Sequence, residues 1–94
     1  MVTLRIQHSV PTFDSWKRAF DADPIDRKGG GVRRYSIHRS VRDPNFVMID
    51  LEFETVGEAD AFLEKLRGLW SGAAQAVMRN PQAWVVETMK STDV

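Results

Sequence analysis

The chain has 94 residues, with thirteen basic and thirteen acidic side chains and a formal net charge of zero. That length fits a single domain, and the charge balance leaves no global field to draw nucleic acid or an anionic membrane. The absence of cysteine excludes disulfides, thiolate metal centres and cysteine nucleophiles, and two histidines, His8 and His38, are too few for a His-rich metal site.

Residues 2 to 8 alternate, with Val2, Leu4 and Ile6 on one side and Thr3, Arg5 and Gln7 on the other, as in a half-buried strand. The N-terminal MVTLRIQH turns polar too early for a signal peptide. Nowhere does an apolar run approach the ~18–20 residues of a membrane span. A cytoplasmic protein without a membrane partner is the expectation.

Thr12 is a candidate N-cap, with Asp14 in the first turn. Phe13, Trp16, Ala19 and Phe20 follow at helical spacing and predict a helix whose aromatic stripe packs on a sheet. Pro24 ends it. "DRKGGG", residues 26 to 31, predicts a flexible connection. It is no phosphate loop, because it lacks the Lys-Ser/Thr ending and precedes a strand.

Residues 32 to 41 alternate as a second strand, "RDPN" has turn chemistry, and residues 46 to 54 form a third strand with Val47, Ile49, Leu51 and Phe53 on its apolar side. Thr55 and Glu58 make a capping box for a second helix, which carries Ala59, Phe62, Leu63, Leu66 and Trp70 on one face and weakens at Gly68 and Gly72. Residues 73 to 78 fit a separate short helix, stopped by Asn80-Pro81. A fourth strand falls within 82 to 89, and 90 to 94 is a frayed tail.

The order β-α-β-β-α-β predicts a ferredoxin-like α+β domain: a four-stranded antiparallel sheet with both helices on one face. The other face is uncovered. Its content depends on the register of the hairpin between the second and third strands. An odd-length loop matches apolar with apolar and base with acid. It puts Arg34, Ser36 and His38 beside Met48, Asp50 and Glu52, with Arg5 and Gln7 alongside. The fourth strand adds either Trp84, Val86 and Thr88 or Ala83, Val85 and Glu87.

"TFDSWKRAFD" and "GVRRYSIHRSVRDPNFVMIDLEFETVGEADAFL" resemble the dimeric α/β-barrel superfamily, and within it the antibiotic-biosynthesis-monooxygenase-like proteins. The resemblance spans about residues 2 to 89. It implies that two protomers pack their sheets together into a barrel, so that the uncovered face becomes lumen or interface. A thin core in so short a chain makes such pairing a natural remedy. The resemblance further implies a small aromatic substrate and, in some members, cofactor-free oxygenation or isomerisation. Haem chemistry is not implied, because the first strand ends in Gln7-His8 without an Asn and no histidine follows residue 38.

Several residues are candidates for function. His38 is a candidate general base, oriented by Asp50. Arg5, Arg34, Met48 and Glu52 are candidate substrate contacts on the same face, and Trp70 is a candidate pocket rim. His8 reads as peripheral, and Phe13, Trp16 and Phe20 as core. No metal or cofactor is expected. An RNA-binding domain of the same topology would need aromatics where Met48, Asp50 and Glu52 stand. The expected partners are a second copy of the chain and a small hydrophobic or aromatic molecule, which the protein transforms or merely binds.

Overall fold

The computed structural model describes residues 1–72 and 77–94. The elements run β1 (Val2–Ser9), α1 (Phe13–Asp21), β2 (Arg34–Arg39), β3 (Phe46–Phe53), α2 (Val56–Trp70) and β4 (Arg79–Glu87). The strands form one antiparallel sheet in the order β2-β3-β1-β4. This is the ferredoxin-like α+β architecture expected from the order of elements.

Alternation decides what each face holds. Val2, Leu4 and Ile6 of β1 and Val47, Ile49, Leu51 and Phe53 of β3 are buried beneath the helices, with Ala59, Phe62 and Leu63 of α2 set against them. The Phe53 and Phe62 rings meet at 5.6 Å between centroids. Full burial of side chains of this size is worth about 1.5–3 kcal/mol each. The first helix contributes less. Trp16 is its one buried residue, and α1 stands off the sheet with its aromatic side chains bridging the gap.

Both helices start where side-chain oxygens supply acceptors for free N–H groups. Thr12 Oγ1 accepts from the Ser15 N–H at 3.2 Å, and Thr55 Oγ1 from the Glu58 N–H at 3.1 Å. Asp14 and Glu58 lie in first turns, Arg18 and Arg67 in last turns, as the helix dipole favours.

The hairpin register follows from its loop. The Ser40 N–H donates to the Phe46 carbonyl at 3.0 Å, so residues 41 to 45 form an odd, five-residue loop. Ser40 Oγ and Asp43 Oδ1 accept from backbone N–H groups inside it. Tyr35 therefore pairs with Leu51 and Ile37 with Ile49.

Two segments differ from expectation. β4 begins at Arg79, ahead of the expected 82 to 89, and runs through Asn80-Pro81. It lies at the sheet edge, where a missing Pro81 N–H is tolerated. Asn80 takes φ 51°, and the β1–β4 register slips between Gln7 and Ser9, so the strand bends at a bulge instead of ending. The expected short helix over 73–78 lies largely outside the described residues. The glycine run is also more than a flexible connection. A Cβ on Gly30 would come within 2.6 Å of the Phe62 ring, and Gly31 has φ 98°. Glycine lets this segment lie directly on α2.

Candidate functional site

Register places Arg5, Gln7, Arg34, His38, Met48, Asp50 and Glu52 on the uncovered face together. The phase of β4, left open by the sequence, adds Trp84 opposite Arg5 and Val86 opposite Thr3, with Ala83 and Val85 turned to the helices. Thr88 lies beyond the strand. Arg5 grips Asp50 through two hydrogen bonds, Nε to Oδ1 at 3.0 Å and Nη2 to Oδ2 at 3.1 Å. Arg34 Nε lies 3.1 Å from Glu52 Oε2, and Arg33 pairs with Glu54 at 2.9 Å. The two acids of β3, and Glu54 just after it, are thus answered one by one by bases of β1, of β2 and of the segment just before β2.

This geometry corrects the expected partnership of His38 with Asp50. The five-residue loop puts Met48 opposite His38 and Ser36 opposite Asp50. Both Asp50 oxygens accept from Arg5. His38 is exposed and makes no hydrogen bond or ion pair among the described residues. Nothing there fixes its tautomer. Trp70 is also separated from the other candidates. It lines the helix side of the sheet, across the β-layer from Arg5 and Asp50.

That helix side holds a cavity of about 320 Å³. It lies at the small end of the range for ligand sites, roughly 300–1,000 Å³. The standing-off of α1 opens it. Ile49 and Leu51 of β3 line the sheet side, Trp16 and Phe20 of α1 one flank, and Leu66 and Trp70 of α2 another. Pro24 and Ile25, from the segment after α1, also line it. Among the described lining residues the nitrogen-bearing side chains are His8, Arg27 and the indoles of Trp16 and Trp70, and the rest are hydrocarbon or thioether.

His8 extends the parity of Val2, Leu4 and Ile6, and its ring is 2% exposed. It meets Trp16 edge to face at 5.7 Å. Its Nδ1 lies 3.2 Å from the Ser9 carbonyl oxygen. A carbonyl only accepts, so Nδ1 carries the hydrogen and Nε2 is left with its lone pair. Desolvation holds the His8 pKa below its ordinary value, against the smaller opposing pull of the Ser9 carbonyl. The ring is therefore neutral at neutral pH. Arg27 is anchored from three directions. Its Nη1 donates to the Phe20 carbonyl at 2.7 Å, its backbone N–H donates to Asp23 Oδ1 at 2.9 Å, and its guanidinium lies 3.9 Å from the Phe20 ring centroid.

The peripheral reading of His8 is overturned by this burial, and the signal was present, since every second residue from Val2 points to the helices. Trp16 and Phe20 are core residues that are also cavity wall. Arg27 had no pattern to reveal it, because its place depends on how the loop folds back. Among the described residues, no cluster of three potential metal ligands forms, and no helix is long and apolar enough to cross a membrane.

No family model and no curated protein matches this sequence. Solved structures do match. A cofactor-independent oxygenase from Streptomyces nogalater superposes with TM-score 0.76 at 13% identity, covering 96% of this chain and 94% of that one. An antibiotic biosynthesis monooxygenase superposes with TM-score 0.69 at 10% identity, covering 96% and 100%. A dimeric ferredoxin-like protein from an uncultured marine organism gives 0.61 at 14%, covering 95% and 97%. At these identities the likeness is one of fold, and on that ground the chain has the ferredoxin-like fold of the antibiotic-biosynthesis-monooxygenase-like structures.

Proposed function

We propose that this protein binds a small aromatic molecule in the cavity between its helices and its sheet, as a cofactor-independent monooxygenase, and that two copies pair through their uncovered sheet faces. The carrying observation is the cavity itself: apolar walls, aromatic flanks and a neutral imidazole around one space. Such a site suits a flat, uncharged ring system. It also suits oxygenation without a cofactor, in which a substrate loses a proton and becomes electron-rich enough to react with oxygen. An activated methylene then becomes a carbonyl. One oxygen atom enters the product, the other leaves as water, and the substrate supplies the electrons. The fold shared with a cofactor-independent oxygenase supports this reading.

Pairing is supported by the character of the open face. Met48, Asp50 and Glu52 are only partly exposed in the single chain, while Trp84 is 45% exposed at the edge. A second face of the same kind would cover Trp84 and exclude water from the ion pairs.

The test is aerobic incubation with anthrone in buffer free of metals and flavins. Anthraquinone formed faster than the spontaneous rate is the expected result. Saturable binding without turnover would leave a non-catalytic binding protein. Neither binding nor turnover would remove the cavity as a ligand site. Sedimentation of the purified protein at micromolar concentration reads the pairing, with a dimer expected and a monomer contradicting it.

A further inference from the structure

We infer that the cavity selects neutral, weakly acidic aromatics such as phenols and enols, and that His8 Nε2 is the group that receives their acidic hydrogen. This rests on the cavity being the ligand site. It goes beyond that reading by naming the ligand's chemistry and the residue that recognises it.

The argument begins with what the cavity lacks. An aromatic compound bearing only C–H edges would be satisfied by its walls, yet a buried histidine stands among them. Burying an imidazole beneath a helix costs free energy unless its polar atoms are used. Nδ1 is used, by the Ser9 carbonyl. Nε2 has no hydrogen-bond partner among the described residues. It is not a sealed, unsatisfied atom either, since no described buried side-chain nitrogen or oxygen lacks a partner. Nε2 is therefore left open to the cavity that its ring lines. Its lone pair is an acceptor waiting for a donor, fixed in direction by the Nδ1 bond and by the Trp16 ring.

The second step concerns charge. A carboxylate or phosphate brings no hydrogen to Nε2, and a neutral imidazole offers such an anion no countercharge. The one cation among the described lining residues, Arg27, is already bound to the Phe20 carbonyl and lies 3.4 Å from Asp23 Oδ1. A ligand that arrives already ionised would be desolvated without compensation. A phenol or enol arrives neutral, crosses the apolar walls cheaply and then hydrogen-bonds to Nε2. If the proton moves, it moves from the ligand oxygen, or from the activated carbon in conjugation with it, to Nε2. The products are a ligand anion and an imidazolium in contact, with the Arg27 charge in the same cavity. No oxidant takes part in that step, and charge is conserved.

The experiment compares 2-naphthol, 2-methoxynaphthalene and 2-naphthoate as probes, by calorimetry near pH 7.5, on the wild-type chain and on His8→Phe and His8→Gln. The ether fills the cavity without donating a hydrogen. In the wild type, naphthol should bind about three- to tenfold tighter than the ether, the size of one net hydrogen bond, and naphthoate should bind weakest. His8→Phe should lose the preference for naphthol over the ether, whatever its absolute affinity for the two. A cooperative urea-unfolding transition and measurable ether binding show that the variant is folded. His8→Gln, which keeps an acceptor oxygen, should retain part of the preference. Equal binding of naphthol and ether by the wild type, or a preference that survives in His8→Phe, overturns the role of His8. Tightest binding by naphthoate overturns the assignment to neutral acids. Failure of all three probes to bind overturns the cavity reading itself, which separates the two claims.

Discussion

The two faces of one sheet solve the problem of polar groups in opposite ways. On the uncovered face, bases and acids neutralise one another across strands, Arg5 with Asp50 and Arg34 with Glu52, and the Gln7 amide donates to that of Gln82. Those groups have partners and little left to offer a ligand. On the covered face a single histidine is desolvated, hydrogen-bonded at one ring nitrogen and part of a cavity wall. The contrast teaches that charge density is a poor guide to chemistry here. The acids of β3 catch the eye in the sequence, and their neighbours already spend them.

The comparison can be broken most severely along β3, where adjacent residues point to opposite faces. Phe53→Ala removes a fully buried ring and should cost about 3–5 kcal/mol. Against the ~5–15 kcal/mol total of a native domain, that should lower the midpoint of urea unfolding sharply or abolish folding. Glu52→Ala, one residue away, breaks an ion pair whose arginine is 78% exposed and should cost about 0–1 kcal/mol in the single chain. If the measured cost is several times larger at concentrations where the protein is dimeric, the open face is covered in the assembly.

The two histidines give the next test. With anthrone as substrate, His8→Phe should lower kcat by about a hundredfold or more, the usual scale for a positioned general base. His38→Ala should leave it within about twofold, because a base without an orienting partner contributes little to that scale. The reverse result would return the chemistry to the open face. A smaller effect is expected at the start of α2. Thr55→Ala removes the acceptor for the Glu58 N–H and should cost about 1 kcal/mol in thermal or urea unfolding, without changing probe binding.

The least of these effects is a slope in stability against pH. Burial holds the His8 pKa in the folded state below its ordinary 6.5. As pH falls through about 6.5 the unfolded chain takes up a proton that the folded chain refuses. The stability due to the neutral ring is complete above that value. It declines as pH drops below it, and levels off once the folded imidazole also protonates. Urea unfolding across this window should show that decline in the wild type and lose that part of it in His8→Phe.

Much of this was legible in the sequence, for physical reasons that can be named. Strict alternation in β1 and β3 reports burial on one side, so the faces of Leu4, Leu51 and Phe53 were readable. The rule that apolar pairs with apolar fixed the hairpin register, and Thr55 with Glu58 marked a helix start. The site was harder. His38 and Asp50 lie on one face, yet the two-residue offset between them depends on loop length together with the third strand, where Arg5 competes for the carboxylate. His8 was within reach of the same alternation that placed Ile6, but a histidine at a strand end reads as solvated unless a helix covers it, and α1 does so through Trp16. Arg27 reaches the cavity from a loop whose path is set by Gly30 resting on Phe62, a contact between segments far apart in sequence.

The most direct measurement follows the ring resonances of His8 and His38 by NMR while 2-naphthol is titrated into the wild-type protein. The account predicts that the His8 Nε2 and ring-proton signals shift with saturation as the ligand hydrogen reaches Nε2, while His38 stays near its free position. Saturable shifts at His38 with His8 unmoved would contradict it and place the ligand on the open face of the sheet.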